Sequence, residues 1–205
     1  MTILNKFTPT ARQAVVQAGI EAAQARIDAA GDGQVLLGPE FLLLALADRR
    51  PLAGRPEGLG ISSAAIRTEI AQRCARPGHP SRMNDDDLLA TLGINAREVR
   101  RRAFAGVGVR PDDPSRWVLH RSRLRPLHLV LHGPATAAVL TGDSRKVIEV
   151  ATWCSRRGHR PYATREDLLW GLLSDYSPAV RILHRLNLNI PTLWTDLQTW
   201  SASTS

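Results

Sequence analysis

One short phrase of this chain is written twice. Leu37-Gly-Pro-Glu-Phe-Leu-Leu-Leu-Ala-Leu46 sets an acidic residue ahead of an unbroken apolar run with one small residue inside it, and Arg165-Glu-Asp-Leu-Leu-Trp-Gly-Leu-Leu173 repeats that order. Placing Glu40 on Glu166 lays Leu42-Leu43-Leu44-Ala45-Leu46 over Leu168-Leu169-Trp170-Gly171-Leu172. An internal repeat dictates the architecture before any local detail does, because one small unit cannot bury its apolar faces and two packed together can.

The flanks repeat as well. Phe7-Thr8-Pro9 and Leu140-Thr141-Gly142-Asp143 each open a helical segment with a threonine at the cap position, and Gly58-Leu-Gly-Ile-Ser-Ser63 and Leu183-His-Arg-Leu-Asn-Leu188 follow the two acidic-leucine helices. Pro9 fits a first helical turn, where its missing N–H is not needed, and Ala11, Val15, Ala18, Ala22 and Ala25 then recur at spacings of three and four. Phe41 to Ala47 is apolar all round, which predicts a central helix. Ser62 or Ser63 is placed to cap a helix running to Cys74, and Thr141 or Asp143 one running to Arg157 with Gly158-His159 at its end. Thr164 with Asp167 reads as a capping box, Ser177-Pro178 as another helix start, and Pro191 as the start of a last helix.

Between the two units the composition turns to arginine, proline and glycine. Two short helices are expected, one opening at Asp85-Asp-Asp87 and a basic one over Ala96 to Ala105. Trp117 to His120 and Leu127 to Leu131 read as short extended pieces. The expected fold class is therefore all-α, a tandem repeat of two four-helix units with pseudo-twofold symmetry plus an inserted linker segment. The units fall at 4–75 and 139–200, with 76–138 between them, in a single domain spanning 1–205.

Composition narrows the function classes. Twenty-seven basic residues against nineteen acidic ones leave a net charge of +8, which favours polyanionic or acidic partners. Nearly all the basic residues are arginine, lysine appearing only at Lys6 and Lys146. No run of eighteen apolar residues and no secretory leader is present, so a cytoplasmic protein with no membrane partner is expected. Cys74 and Cys154 stand alone, without paired-thiol or zinc spacing, and read as small buried hydrophobes. No phosphate-binding glycine loop ending in Lys-Ser/Thr occurs, and no nucleophile motif does, so no enzymatic activity and no cofactor is assigned. His128 and His132 stand four apart but lack a third ligand at fixed spacing, and no metal site is assigned either.

With these residues placed, the chain resembles the N-terminal domain of Clp unfoldases of the ClpC and ClpA type, as a free-standing divergent relative. That family opens helix one with an aromatic-Thr pair, carries Gly-His before helix two, and then Gly-Thr-Glu-His followed by Leu-Leu-Gly-Leu. Phe7-Thr8 with Ala11, Gly158-His159, Glu166 through Leu172, and Arg145-Lys146-Val147-Ile148-Glu149 carry the likeness, over roughly residues 4 to 74 and 139 to 200. Pro39 and Phe41 replace the family's threonine and histidine around Glu40, as Arg165 and Asp167 do around Glu166.

The resemblance implies a protein- or peptide-binding module of a Clp protease system, an adaptor, regulator or decoy without its own ATPase. Its partners would be arginine-phosphorylated or otherwise tagged proteins, a Clp unfoldase, or cyclic peptides. It assigns Glu40 and Glu166 to phosphoarginine, since a carboxylate grips a guanidinium through two parallel hydrogen bonds. The competing explanation is that each is a first-turn acid serving its own helix end. The resemblance also maps an inter-repeat groove onto Leu4, Leu140, Arg145 and Glu149, for which plain packing is the competing explanation. A regulator that binds nucleic acid through Arg97, Arg100 to Arg102, Arg121, Arg123 and Arg125 is the alternative from another class.

Overall fold

The computed structural model describes residues 2–28, 34–47, 52, 58–74, 112–122, 128–134 and 136–203. Within them lie seven α-helices: α1 (Pro9–Asp28), α2 (Pro39–Leu46), α3 (Ser63–Cys74), α4 (Gly142–Arg157), α5 (Arg165–Leu173), α6 (Pro178–Arg185) and α7 (Ile190–Ser203). The short helices expected between Asp85 and Ala105, and the arginines at 97, 100–102, 123 and 125, fall outside the described residues.

The helix starts follow from local chemistry. The first N–H groups of a helix have no partner within it, so a side-chain oxygen must accept from them. Thr8 accepts from the Ala11 N–H at 3.3 Å and Thr141 from the Ser144 N–H at 3.3 Å. At α5 the capping box is complete, Thr164 and Asp167 each accepting from the other's backbone. Ser177 caps α6. The last helix begins one residue earlier than Pro191 suggests, at Ile190, because Asn189 accepts from the Thr192 N–H at 3.1 Å. The turns into α3 and α7 match residue for residue. Leu59-Gly60-Ile61-Ser62 carries Gly60 at φ 69° and a Ser62 cap; Leu186-Asn187-Leu188-Asn189 carries Asn187 at φ 55° and the Asn189 cap. Glycine and asparagine are the residues that tolerate this left-handed conformation most readily.

Burial repeats between α1 and α4 in the register that sets Thr8 on Thr141. Ala11, Ala14, Val15, Ala18 and Ala22 are buried along α1, and Ser144, Val147, Ile148, Ala151 and Ser155 along α4. In α2, Pro39 and Phe41 through Leu46 are all buried, so this helix is surrounded as expected. It packs against α1, α3, α4, α5 and α6, while α5 packs against α1, α2, α4, α6 and α7. These two short helices form the centre.

An all-α chain is not what the structure contains. A four-stranded mixed sheet joins β1 (Val35–Leu37), β2 (Val118–Arg121), β3 (Leu129–His132) and β4 (Ala137–Leu140) in the order β1-β4-β3-β2. β1 runs parallel to β4 with Leu37 opposite Leu140, and the other two pairings are antiparallel. Three or four residues are too few to display a period of two, and β1 meets a partner about a hundred residues away, so local pattern could not reveal it. The extended pieces expected near 117 and 127 are β2 and β3, shifted by one or two residues. The sheet seats on α1 through Trp117, which is 3% exposed: an added Cβ at Gly133 would come within 2.5 Å of its ring, and one at Gly19 within 3.2 Å.

Backbone pairing also ties early segments of the chain to late ones. The Thr141 N–H donates to Leu37 O at 3.1 Å, joining the start of α4 to the start of α2. The Thr8 N–H donates to Ala163 O at 2.9 Å and the Ala163 N–H to Lys6 O at 2.7 Å, joining the start of α1 to the start of α5.

α4 and α5 approach each other closely at Gly171. A Cβ on Gly171 would stand 2.6 Å from Val147 O and 3.0 Å from its Cα, so backbone rather than a movable side chain blocks it. Gly171→Ala is expected to destabilise the fold by about 1–3 kcal/mol in urea denaturation, the usual cost of overpacking. An unchanged midpoint would contradict the close approach.

Candidate functional site

Glu40 lies in the first turn of α2, and its carboxylate curls back over Gly38, leaving no room for a Cβ there. It accepts from its own backbone N–H, yet Oε2 is buried with no hydrogen-bond partner. Burial raises its pKa above the ordinary carboxylate value. The backbone hydrogen bond works against that shift, and the charges around it divide: Arg73 of α3 and Arg181 of α6 favour the carboxylate, Asp143 of α4 disfavours it. The Thr141–Leu37 hydrogen bond is what carries the first turn of α4, with Asp143, alongside the start of α2. Arg73 is steadied by donating to Pro178 O at 3.1 Å.

Glu166 occupies the matching first-turn position of α5 and is half-buried. Its flanking residues do structural work. Arg165 is only 6% exposed and donates to Leu46 O at 3.0 Å, satisfying a carbonyl at the C-terminal end of α2 that has no partner within its own helix. Asp167, 3% exposed, accepts from the Thr164 N–H at 2.8 Å and from Arg160 at 2.7 Å. The Arg160 guanidinium in turn lies over the Trp200 ring at 5.1 Å, fastening the α4–α5 turn to α7.

The four groove residues divide. Leu4 and Leu140 are 1% and 5% exposed and belong to the core, Leu140 within β4 and Leu4 in the short 3-10 turn Ile3–Lys6. Arg145 and Glu149 pair with each other along α4 at 3.6 Å, with Glu149 half exposed.

A cleft of about 270 Å3 opens elsewhere, between α1, α2 and α3. Ala14, Leu44 and Ala45 form its apolar floor, and Gln13, Gln17, Glu21 and Arg67 its polar wall, with Arg165 adjoining. Arg67 donates to Glu21 at 2.7 Å and Gln17 to Glu21 at 3.1 Å. Gln13, Gln17 and Glu21, spaced by four along α1, were its only trace in the sequence.

No family model and no curated protein matches this chain. Among solved structures it is similar to the N-terminal domain of the caseinolytic protease associated chaperone ClpD from Arabidopsis thaliana, with a TM-score of 0.54 and 19% sequence identity over 95% of this chain and 96% of that one. The fold is similar to that of a Clp N-terminal domain.

Within this Clp N-domain-like fold the remaining candidates find ordinary places. Cys154 is half-buried in α4, and burial, reinforced by Asp167, pushes its thiol up to about 11, which makes it a poor nucleophile near neutral pH. His128 precedes β3 and His132 ends it, neither lying on a helix, and His132 stacks on His120 with ring centroids 4.9 Å apart. Among the described residues there is no group of three or more His, Cys, Asp or Glu that could hold a metal ion, and no helix long and apolar enough to cross a membrane. Arg121 ends β2 and is exposed.

The raised pKa of Glu40 has a definite sign. A carboxyl whose pKa is higher in the folded chain stabilises the fold fully only below its unfolded value, and that contribution is lost as the pH rises through the folded value. Glu40→Gln keeps the shape without the charge. Its stability advantage over the wild type, measured by urea denaturation, should therefore be absent at about pH 3.5 and grow toward about pH 7. Parallel stability curves for the two proteins would show that Glu40 is not desolvated.

Proposed function

We propose that this chain is a protein- or peptide-binding module of a Clp protease system, acting as an adaptor, regulator or decoy that recognises tagged proteins and does no chemistry on them. The observation that carries this reading is the fold, shared along nearly the whole length of this chain and of an N-terminal domain of a protease-associated chaperone. Its architecture we read as two repeats, 4–75 and 139–200, related by an approximate twofold and separated by 76–138. Matched caps, matched burial and the exchange of backbone hydrogen bonds at Leu37–Thr141 and Thr8–Ala163 support that division.

Arginine phosphate is the tag this reading favours. A half-buried carboxylate with an unused oxygen suits a guanidinium, which offers paired N–H donors. Arg73 and Arg181, whose charges reach Glu40, supply attraction for the phosphate. Asp143 opposes it, so the Glu40 position would discriminate poorly between phosphoarginine and arginine unless the two arginines outweigh that one acid. Glu166 is the corresponding first-turn acid of the second repeat and is the second residue this reading assigns to the tag, in different surroundings.

Titration calorimetry with phosphoarginine and with arginine tests this directly. The expected result is saturable heat with phosphoarginine that Glu40→Ala and Glu166→Ala together remove, and a weaker response to arginine. A wild-type protein that gives no heat with phosphoarginine removes the tag and leaves general peptide binding to be sought with unmodified peptides.

A further inference from the structure

The two halves differ at the cleft between α1, α2 and α3. In the register that sets Glu40 on Glu166, Leu44 falls on Trp170. In the register that sets the Gly60 turn on the Asn187 turn, Arg67 falls on Trp194. In the second half those two indoles meet edge to face, with centroids 4.8 Å apart and planes at 87°. In the first half the same two positions hold a leucine and an arginine, and both line the open cleft. Helix one changes in the same sense. Setting Thr8 on Thr141 places Gln17 on Val150 and Glu21 on Cys154, so two polar side chains stand where the second half is apolar.

We propose that this cleft receives an aromatic side chain, a tryptophan of a peptide partner, in the space corresponding to the indole pair of the second half. Ala14, Leu44 and Ala45, exposed by only 6%, 5% and 7%, supply a floor for a flat apolar ring. Arg67 is held on one edge by Glu21, at 2.7 and 3.4 Å, which leaves the face of its guanidinium for the ring. Among the described residues the chain makes that contact elsewhere, Arg157 over Trp153 and Arg160 over Trp200, each at 5.1 Å. Gln17 and Glu21 bring acceptor oxygens to the wall, which an indole N–H requires when buried. At about 270 Å3 the space lies at or below the lower end of small-molecule pockets and matches one large side chain better than a whole ligand. That the ring arrives on a peptide rests on the peptide-binding reading, and its correspondence with the indole pair on the two-repeat reading; the cleft itself rests on neither.

The test is a titration of the full chain with N-acetyl-L-tryptophanamide, followed by the methyl NMR signals of Ala14, Leu44 and Ala45, with N-acetyl-L-leucinamide as the control. Saturable shifts at these methyls are expected, with the leucine compound at least about tenfold weaker, the equivalent of about 1.4 kcal/mol. Arg67→Trp and Leu44→Trp, which restore the second-half residues, should each close the cleft and abolish the shifts in a protein with unchanged circular dichroism. Glu40→Ala with Glu166→Ala should leave the shifts intact, which separates this site from phosphoarginine binding. Absent or unsaturable shifts in the wild type, equal response to the leucine compound, or binding that survives in either folded tryptophan variant would overturn the assignment.

Discussion

Two short helices with no polar side to turn outward determine everything around them. α2 is buried along its whole length apart from Glu40, and a helix apolar on all faces is stable only when other elements cover all of them. α5 meets the same requirement less simply, because its buried residues include Arg165 and Asp167. Burying a charge without partners would cost several kcal/mol. Here Arg165 closes the end of α2 through Leu46 O, and Asp167 binds Arg160 and its own helix start. The polar residues of the centre are thus the means by which its two helices are terminated and held in register.

This explains why the two glutamates, alike in sequence, are unlike in surroundings. Beside Glu40 the flanking positions are the buried apolar Pro39 and Phe41; beside Glu166 they are a buried arginine and a buried aspartate, each committed to a structural bond. Glu40 is left with a buried, unpaired oxygen and a divided field of charges from α3, α4 and α6. A recurring motif therefore marks equivalent places in the chain without making them equivalent sites. By sequence register Leu44 and Arg67, which line the cleft, align with Trp170 and Trp194, which meet edge to face.

What could be read in advance was local. Thr8, Thr141, Thr164 with Asp167, and Ser177 all cap the helices their spacing announced, because a cap involves only three or four consecutive residues. Cys154, expected to be a buried small hydrophobe, is half-buried. Leu4 and Leu140, mapped to a groove by resemblance, pack in the core, and the sheet went unread as a sheet because its strands are three or four residues long. The cleft left only a faint mark, three polar residues at every fourth position of α1, since its other wall comes from α3 some forty residues on.

The sequence by itself determined that the chain is built around a duplicated acidic-leucine helix, where most of its helices begin, and which faces they bury. Those outcomes depend on spacing along the chain, which is visible in the order of residues. Only the tertiary structure decided that β1 pairs with β4, that Arg165 closes the end of α2, and which charges surround Glu40. Each depends on groups distant in sequence meeting at a fixed distance, and hydrogen bonds and desolvation act over that distance, not over residue number.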